Sequence, residues 1–309
     1  MLSVLFAALS ALAAQDKADL KLDLALDRTD PAVGQEIQAE VTLTNAGGSD
    51  AEATPLVFDE RALSFEVTFD AGGKPKTFAF AVIRPDPHVA DRLAPPRVTL
   101  KPKKSLSTIV RIPTLSAGAM SVTAVYRGAG KDLKSSPANL KVQAQGEANA
   151  LAAEVSTTQG DFRIHLLPGE APNNVANFVS LAHRGFYDGL SVFRVVRGAW
   201  IQAGCPYDNG YGGPGWSVKQ EAEGQTAVHE EGTVAMSGTM KSGYAGSIFY
   251  VSLTRHPAHD KKYTIIGKVA PEGLAAVKAI GNVEADKNTD KPLKDDVRIK
   301  SIKIVPVKG

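Results

Sequence analysis

Cysteine is almost absent from this chain of 309 residues, and the single Cys205 excludes a disulfide within it. Neither sign of charge dominates, because 35 Lys and Arg residues balance 33 Asp and Glu residues. No basic tail or stripe is visible, so nucleic acid is not an expected partner. After the first fourteen residues no apolar run is long enough to cross a membrane, and we expect no transmembrane segment in the mature chain.

The first fourteen residues, MLSVLFAALSALAA, are apolar and uncharged, and polar chain begins at Gln15. The run is too short for a membrane span, and Ala11-Leu12-Ala13 offers the small residues of a cleavage site. We therefore predict a signal peptide over 1–14 and export to the periplasm or the extracellular space after its cleavage. A buried N-terminal helix is the alternative, because the basic start of a signal peptide is missing apart from the terminal amine.

Between about residues 19 and 145, apolar and polar residues alternate with a period of two. The alternation is clear in 20–26, 37–43, 63–69 and 120–126, and turn residues rich in Gly, Pro and Asn separate the segments. Such alternation gives strands with one buried face. The pattern, without any helical stretch, predicts an immunoglobulin-like β-sandwich over 19–145. Its role in adhesion, client capture or spacing stays open, and the small polar segment 143–152 predicts a linker.

The second half combines strand patterns with two helical patterns. Val175, Phe178, Val179 and Ala182 recur at helix spacing after Pro172, and a second short helix is predicted over 272–280. Strands are predicted in eight segments: 153–156, 162–166, 191–196, 200–203, 233–236, 248–253, 264–269 and 297–305. The chain is therefore expected to be mainly β, and the second half matches a small closed barrel of eight strands capped by two helices.

One stretch, YDGLSVFRVVRGAWIQAGCP (187–206), places Arg194 among β-branched residues. Gly198, Gln202 and Gly204 follow Arg194 within the same stretch. In order along the chain, this stretch and four others resemble segments of the cyclophilin-type peptidyl-prolyl isomerases: AEVSTTQGDFRIHLLPGEAPNNVANF, GYGGPGWSVKQE, GTVAMSGTMKSGYAGSIFYVSL and YTIIGKVAPEG. The resemblance covers about 152–306. It implies a cyclophilin-like closed eight-stranded β-barrel with two capping helices and isomerase activity on X-Pro bonds of client proteins.

The resemblance assigns catalysis to Arg194 and Gln202. Rotation about a prolyl bond is slow because amide resonance imposes a barrier of ~18–20 kcal/mol. A fixed guanidinium that donates to the proline nitrogen weakens that resonance, and a nearby amide orients the reacting groups. Such a reaction needs no nucleophile, metal or proton relay, so no cofactor and no metal site are implied. The expected partners are proline-containing peptide segments of clients, and the chain is expected to be a monomer.

The family's substrate-binding positions correspond to ten residues of this chain: Phe193, Ala199, Trp200, Met236, Gly238, Ile248, Tyr250, Ala258, His259 and Tyr263. Several depart from the family's pattern. Ala199 replaces a pocket Phe, Trp200 replaces a Met, and Ile248 replaces a second glutamine. Two hypotheses follow: an exported isomerase acting on extracytoplasmic clients, or a catalytically weak or inactive peptide-binding module with an Ig-like adaptor.

Three other features have ordinary structural interpretations. His256 and His259 flank Pro257 in a polar loop, and two histidines are too few for a metal site, so we expect them to be solvated. The turn around His229 is expected to be solvated for the same reason. Cys205 is interpreted as a small buried hydrophobe, with a reactive thiol as the alternative.

Overall fold

The computed structural model describes residues 18–82, 97–239, 243–293 and 297–308, so the predicted signal peptide over 1–14 lies outside the described residues. The chain is mainly β, as predicted. Across these four ranges, no helix combines the length and the apolar character that a membrane span requires.

The first half of the chain forms three antiparallel sheets. Its described strands are β1 (Leu20–Leu26), β2 (Glu36–Asn45), β3 (Ala51–Ala53), β4 (Leu63–Asp70), β5 (Pro75–Phe80), β6 (Val98–Leu100), β7 (Ser105–Pro113), β8 (Gly118–Tyr126), β9 (Leu133–Lys134) and β10 (Ala138–Val142). One sheet has the order β1-β2-β7, and a second has the order β10-β8-β4-β5 with β9 paired to β8. β3 and β6 form a separate pair.

The two larger sheets each bury one face in a shared hydrophobic core. Ile37 and Val41 of β2, Phe65 and Val67 of β4, and Val122 of β8 are all buried in the same cluster. The alternating pattern of the sequence has this origin, because successive side chains of a strand point to opposite faces. Burial of each such side chain stabilises the fold by roughly 1.5–3 kcal/mol.

The second half is built around one large antiparallel sheet. Its strands are β11 (Ala150–Thr157), β12 (Phe162–Leu166), β13 (Arg194–Val196), β14 (Trp200–Ala203), β15 (Val218–Lys219), β16 (Thr233–Thr239), β17 (Tyr244–Ser252), β18 (Ile265–Val269) and β19 (Ile299–Val307). The order is β13-β14-β17-β16-β18-β12-β11-β19, with β15 paired to β17. All eight predicted strand segments are present in this sheet.

The curled sheet differs from the predicted closed barrel at its two ends. β13 begins at Arg194 and not at the predicted residue 191. The preceding residues instead bond to the chain before β19: Val192 N–H donates to the Val297 carbonyl at 2.7 Å, and Ser191 forms an isolated bridge with Arg298. A few backbone hydrogen bonds between residues 189–192 and 297–299 thus join the two ends in place of a continuous ladder between β13 and β19.

Two helices accompany this sheet, α1 (Pro172–His183) and α2 (Leu274–Gly281), close to their predicted bounds. Pro172 begins α1, where its missing N–H costs nothing. Gly185 follows the helix with φ of +64°, a conformation that glycine adopts without strain. The short 3-10 turn Pro271–Gly273 leads directly into α2.

Helix α1 is buried from Pro172 to Ala182, because it packs between the two halves of the chain. It contacts β5 and β7 of the first half and β15, β17 and β19 of the second. The Asn173 side chain donates to the Ala81 carbonyl at 3.1 Å and accepts from the Ala81 N–H at 3.3 Å. Ser180 Oγ bonds to the Glu36 carboxylate at 3.2 Å. These contacts join the first half to the domain that carries the site.

Candidate active site

Strand register determines which side chains share the outer face of the curled sheet. Arg194 lies directly opposite Gln202, and Gln202 lies directly opposite Tyr250. Opposite residues point to the same face of a sheet, and so do residues two apart on one strand. Trp200 and Ile248 therefore join the other three on this face. The intervening residues of the same strands are buried in the core: Val195, Ile201, Phe249 and Val251.

The Arg194 guanidinium is held by two polar side chains. Its Nη1 donates to Gln202 Oε1 at 3.2 Å, and its Nε and Nη2 both donate to Asp290 Oδ2, at 3.1 and 2.9 Å. Gln202 Nε2 in turn donates to Ser237 Oγ at 3.0 Å. The guanidinium carbon lies 5.8 Å from the centre of the Trp200 ring, within the range of a cation–π contact. The Arg194 guanidinium thus has a defined orientation.

A cavity of about 470 Å³ opens beside this network. Arg194 and Gln202 contribute its polar wall, and Phe193 and Ile248 contribute apolar surface. Its other lining residues come from two loops and from β16: Asp208, Asn209, Gly210, Tyr211, Ser237, Asn288, Thr289, Asp290 and Lys291. A peptide segment bound here would lie against both predicted catalytic side chains.

The positions that correspond to the family's proline pocket form a packed aromatic group. The His259 ring centre lies 5.3 Å from Trp200, 5.6 Å from Tyr250 and 5.0 Å from Tyr263. The Tyr250 hydroxyl and His259 Nδ1 are 3.1 Å apart and share a hydrogen bond. Burial lowers the pKa of His259, and the nearby charges of His256 and His229 lower it further. This wall therefore combines aromatic rings with an imidazole whose charged form is disfavoured.

Behind the wall lies a fully buried histidine. The ring of His229 stacks on Tyr250 with centres 5.9 Å apart. Its Nδ1 and its backbone nitrogen both lie in hydrogen-bonding distance of Asp260 Oδ1, at 3.1 and 2.8 Å. Burial lowers the pKa of His229 although the bond to Asp260 opposes this. For Asp260, burial favours a higher pKa, but hydrogen bonds from Arg255 and His229 outweigh it and lower the pKa to about 2.

The expectation that the histidines are solvated is wrong for His229 and inaccurate for the other two. His256 and His259 are half-buried, with their rings stacked 5.1 Å apart. Both histidines contact Trp200 of β14, which is distant in the sequence, and His259 also contacts Tyr250 of β17, which is near in the sequence. Cys205 is fully buried, as its interpretation as a small hydrophobe requires, and its sulfur accepts the Gly212 N–H at 3.3 Å.

Four of the residues predicted to bind substrate, Met236, Ala199, Ala258 and Gly238, belong neither to the cavity lining nor to the aromatic group. Met236 lies opposite Phe249 in the sheet and is fully buried with it in the main core, so it faces away from Arg194. Ala199 lies in the turn between β13 and β14, and Ala258 is exposed in the 3-10 turn Pro257–His259.

Gly238, one of the predicted substrate-binding residues, occupies a place where only glycine fits. A Cβ there would lie 2.2 Å from the carbonyl oxygen of Tyr244 on the neighbouring strand. The β16–β17 register shifts between Met236 and Gly238, which brings the two backbones this close. A residue with a side chain would not fit here without movement of the strand.

Sequence reasoning did not identify several residues of the cavity. Ser237 adjoins a predicted site residue, which is the one local signal for it. Asp290 lies 96 residues from Arg194 in a polar loop, and no periodicity or motif marks it. Gly210 and Tyr211 begin the Gly-rich segment that carries part of the resemblance, whereas Asp208 and Asn209 lie just before it. Tyr211 is almost fully exposed.

The family of this chain follows from its similarity to known proteins. A family model described as cyclophilin type peptidyl-prolyl cis-trans isomerase/CLD matches residues 152–304. Peptidyl-prolyl cis-trans isomerase B of Bacillus subtilis is 41% identical over 126 residues, which cover 41% of this chain and 87% of that protein. The chain belongs to the cyclophilin-type peptidyl-prolyl cis-trans isomerase family.

This cyclophilin-type chain has further relatives of the same enzyme class. A peptidyl-prolyl cis-trans isomerase of Helicobacter pylori is 36% identical over 134 residues, covering 43% of this chain and 82% of that protein. A crystal structure of a cyclophilin type isomerase from Cryptosporidium parvum aligns with a TM-score of 0.47 at 24% identity, over 50% of this chain and 98% of that one. The family model and the two bacterial relatives place this enzyme in the peptidyl-prolyl isomerase class.

Proposed function

We propose that the chain accelerates cis-trans isomerisation of X-Pro bonds in extracytoplasmic client proteins through Arg194. The observation that carries this proposal is the oriented guanidinium, which Gln202 and Asp290 hold at the wall of a cavity large enough for a peptide segment. The ordered network from Arg194 through Gln202 to Ser237 supports the assignment of both predicted catalytic residues.

The proposed chemistry uses no covalent intermediate. As the prolyl amide twists, its nitrogen loses conjugation and gains a lone pair that can accept a hydrogen bond. An Arg194 N–H that donates to this nitrogen stabilises the twisted state more than either planar state, and such preferential stabilisation accelerates a reaction. Each 1.4 kcal/mol of preference raises the rate about tenfold. Arginine suits this task because it stays protonated and its fork can be held by neighbours while one N–H remains available.

The proposal also includes where the protein acts and what its first half does. The apolar segment 1–14 supports export, and clients would then be proteins that fold outside the cytoplasm. The two packed antiparallel sheets of the first half support an immunoglobulin-like adaptor. Its contacts with α1 would hold this adaptor close to the isomerase domain.

A second candidate function is peptide binding with little or no catalysis. It is favoured by the aromatic group, because Trp200, Tyr250, His259 and Tyr263 contact each other where the family binds the proline ring. A proline ring would then have to displace one of these side chains or bind against their outer surface. Both functions require binding of a proline-containing peptide, and only the isomerase would accelerate its cis-trans exchange.

The experiment uses the full chain and an X-Pro peptide followed by NMR exchange spectroscopy. Cis and trans forms of the peptide give separate signals, and catalysis transfers magnetisation between them. We expect exchange that increases in proportion to protein concentration. Peptide signals that broaden or shift on binding, without cis-trans exchange, would instead establish the binding module and refute the proposed catalysis.

A further inference from the structure

Arg194 has a carboxylate partner that the sequence did not indicate. One oxygen of Asp290 accepts from both Nε and Nη2 of Arg194, at 3.1 and 2.9 Å. Gln202 accepts from the remaining nitrogen, Nη1. These two acceptors fix the plane of the guanidinium, because an arginine held at Nε and at both Nη atoms cannot rotate about its last side-chain bonds without breaking a hydrogen bond.

The loop between α2 and β19 holds Asp290 in place through its backbone. Leu293 N–H donates to the Glu284 carbonyl at 2.8 Å, and Asp286 N–H donates to the Lys291 carbonyl at 2.8 Å. Asp290 itself has φ of +57°. Its carbonyl accepts the N–H of Val195, the residue after Arg194, at 2.7 Å. The loop is therefore bonded to the same strand that carries the arginine.

We propose that Asp290 is a positioning residue, which orients the Arg194 guanidinium for the twisted prolyl amide. This inference rests on the proposed function of Arg194. The Arg194 side chain is 41% exposed, so without a partner its long chain would sample several rotamers in water. Asp290 holds the Nε edge and leaves one N–H on each Nη atom free. The carboxylate does not touch the substrate in this arrangement and acts through the arginine.

The backbone of Asp290 determines which substitutions give a clean test. Its left-handed conformation disfavours alanine, whereas glycine and asparagine tolerate positive φ. Asp290→Gly removes the carboxylate, and Asp290→Asn keeps an oxygen acceptor without the charge. Glu154→Gln is the matched control for the second variant. Glu154 also pairs with an arginine, Arg163, at 2.8 Å, but on β11 and β12 away from the cavity.

We expect Asp290→Gly to lower kcat for X-Pro isomerisation about tenfold, as the loss of a charge-assisted hydrogen bond implies, with little change in KM. Asp290→Asn should retain an intermediate rate, and Glu154→Gln the full rate. In a chain that already carries Arg194→Ala, Asp290→Gly should change nothing further. In NMR spectra, the Arg194 Nε–H signal should be protected from solvent exchange in the parent chain and in Glu154→Gln, and lose that protection in Asp290→Gly.

Several results would overturn the inference and leave the proposed function intact. Full activity in Asp290→Gly would do so, and so would a raised rate, which would mean that the carboxylate competes with the substrate for Arg194. An equal loss in the Arg194→Ala background would assign the effect to the loop in general. A parent chain without any isomerase activity would instead refute the proposed function together with this inference.

Discussion

The contact between Asn173 and Ala81 predicts a large stability loss from a single substitution. Both residues are buried, and the Asn173 side chain satisfies both the carbonyl and the N–H of Ala81, at 3.1 and 3.3 Å. Asn173→Ala removes the side-chain amide, and it leaves the carbonyl and the N–H of Ala81 buried without a hydrogen bond. Each such group costs about 1–2 kcal/mol, so the free energy of unfolding should fall by about 2–4 kcal/mol. The backbone bond from Asn173 N–H to Glu221 is kept in this variant.

Urea denaturation of the full chain, followed by fluorescence and far-UV circular dichroism, measures this loss. Asn139→Ala is the matched control, because Asn139 is exposed on β10. Its effect should stay within about 0.5 kcal/mol. A loss in Asn173→Ala no larger than in the control would refute the reasoning. It would mean that water or a relaxed backbone satisfies Ala81, and that α1 does not depend on this contact with the first half.

Two further predictions concern stability around the site. Burial keeps the pKa of His229 below its ordinary 6.5, so the unfolded chain binds the proton more readily than the folded one. The contribution of His229 to the free energy of unfolding should therefore be complete above about pH 6.5 and fall as the pH decreases through that value. Urea midpoints measured between pH 7 and 5 should show a smaller loss of stability in His229→Gln than in the parent chain. An unchanged pH dependence in this variant would contradict the assignment to His229. Gly238→Ala should lower the free energy of unfolding by about 1–3 kcal/mol, because the added Cβ would meet the Tyr244 carbonyl. Thermal unfolding at the same temperature as the parent chain would show that β16 and β17 move apart at this point without cost.

Local patterns were sufficient to predict most of the fold. Alternation of apolar and polar residues predicts the strands because one face of each sheet is buried. Pro172 marks the start of α1 because it needs no N–H partner there, and Gly185 marks its end because glycine adopts positive φ without strain. The ends of the curled sheet were not predictable in the same way. Whether residues 191–193 continue β13 depends on their partners near Val297, more than a hundred residues away, and no local pattern encodes that pairing.

The same distinction applies to the site. Arg194 and Gln202 could be identified because a continuous motif carries both, and the structure brings them within 3.2 Å. Met236 could not be assigned to a face, since its orientation follows from its register with β17. His229 and Asp290 were missed because each depends on a charged partner that is distant in the sequence, Asp260 and Arg194 respectively.

The most direct test of the account compares X-Pro isomerisation by the full chain with that by Arg194→Ala. Arg197→Ala is the control, because this exposed arginine lies three residues away in the next turn. The account predicts that Arg194→Ala loses about a hundredfold in kcat, as expected for loss of a donor to the reacting group, while Arg197→Ala keeps the parent rate. Equal rates for the parent chain and Arg194→Ala would contradict the central role of this guanidinium.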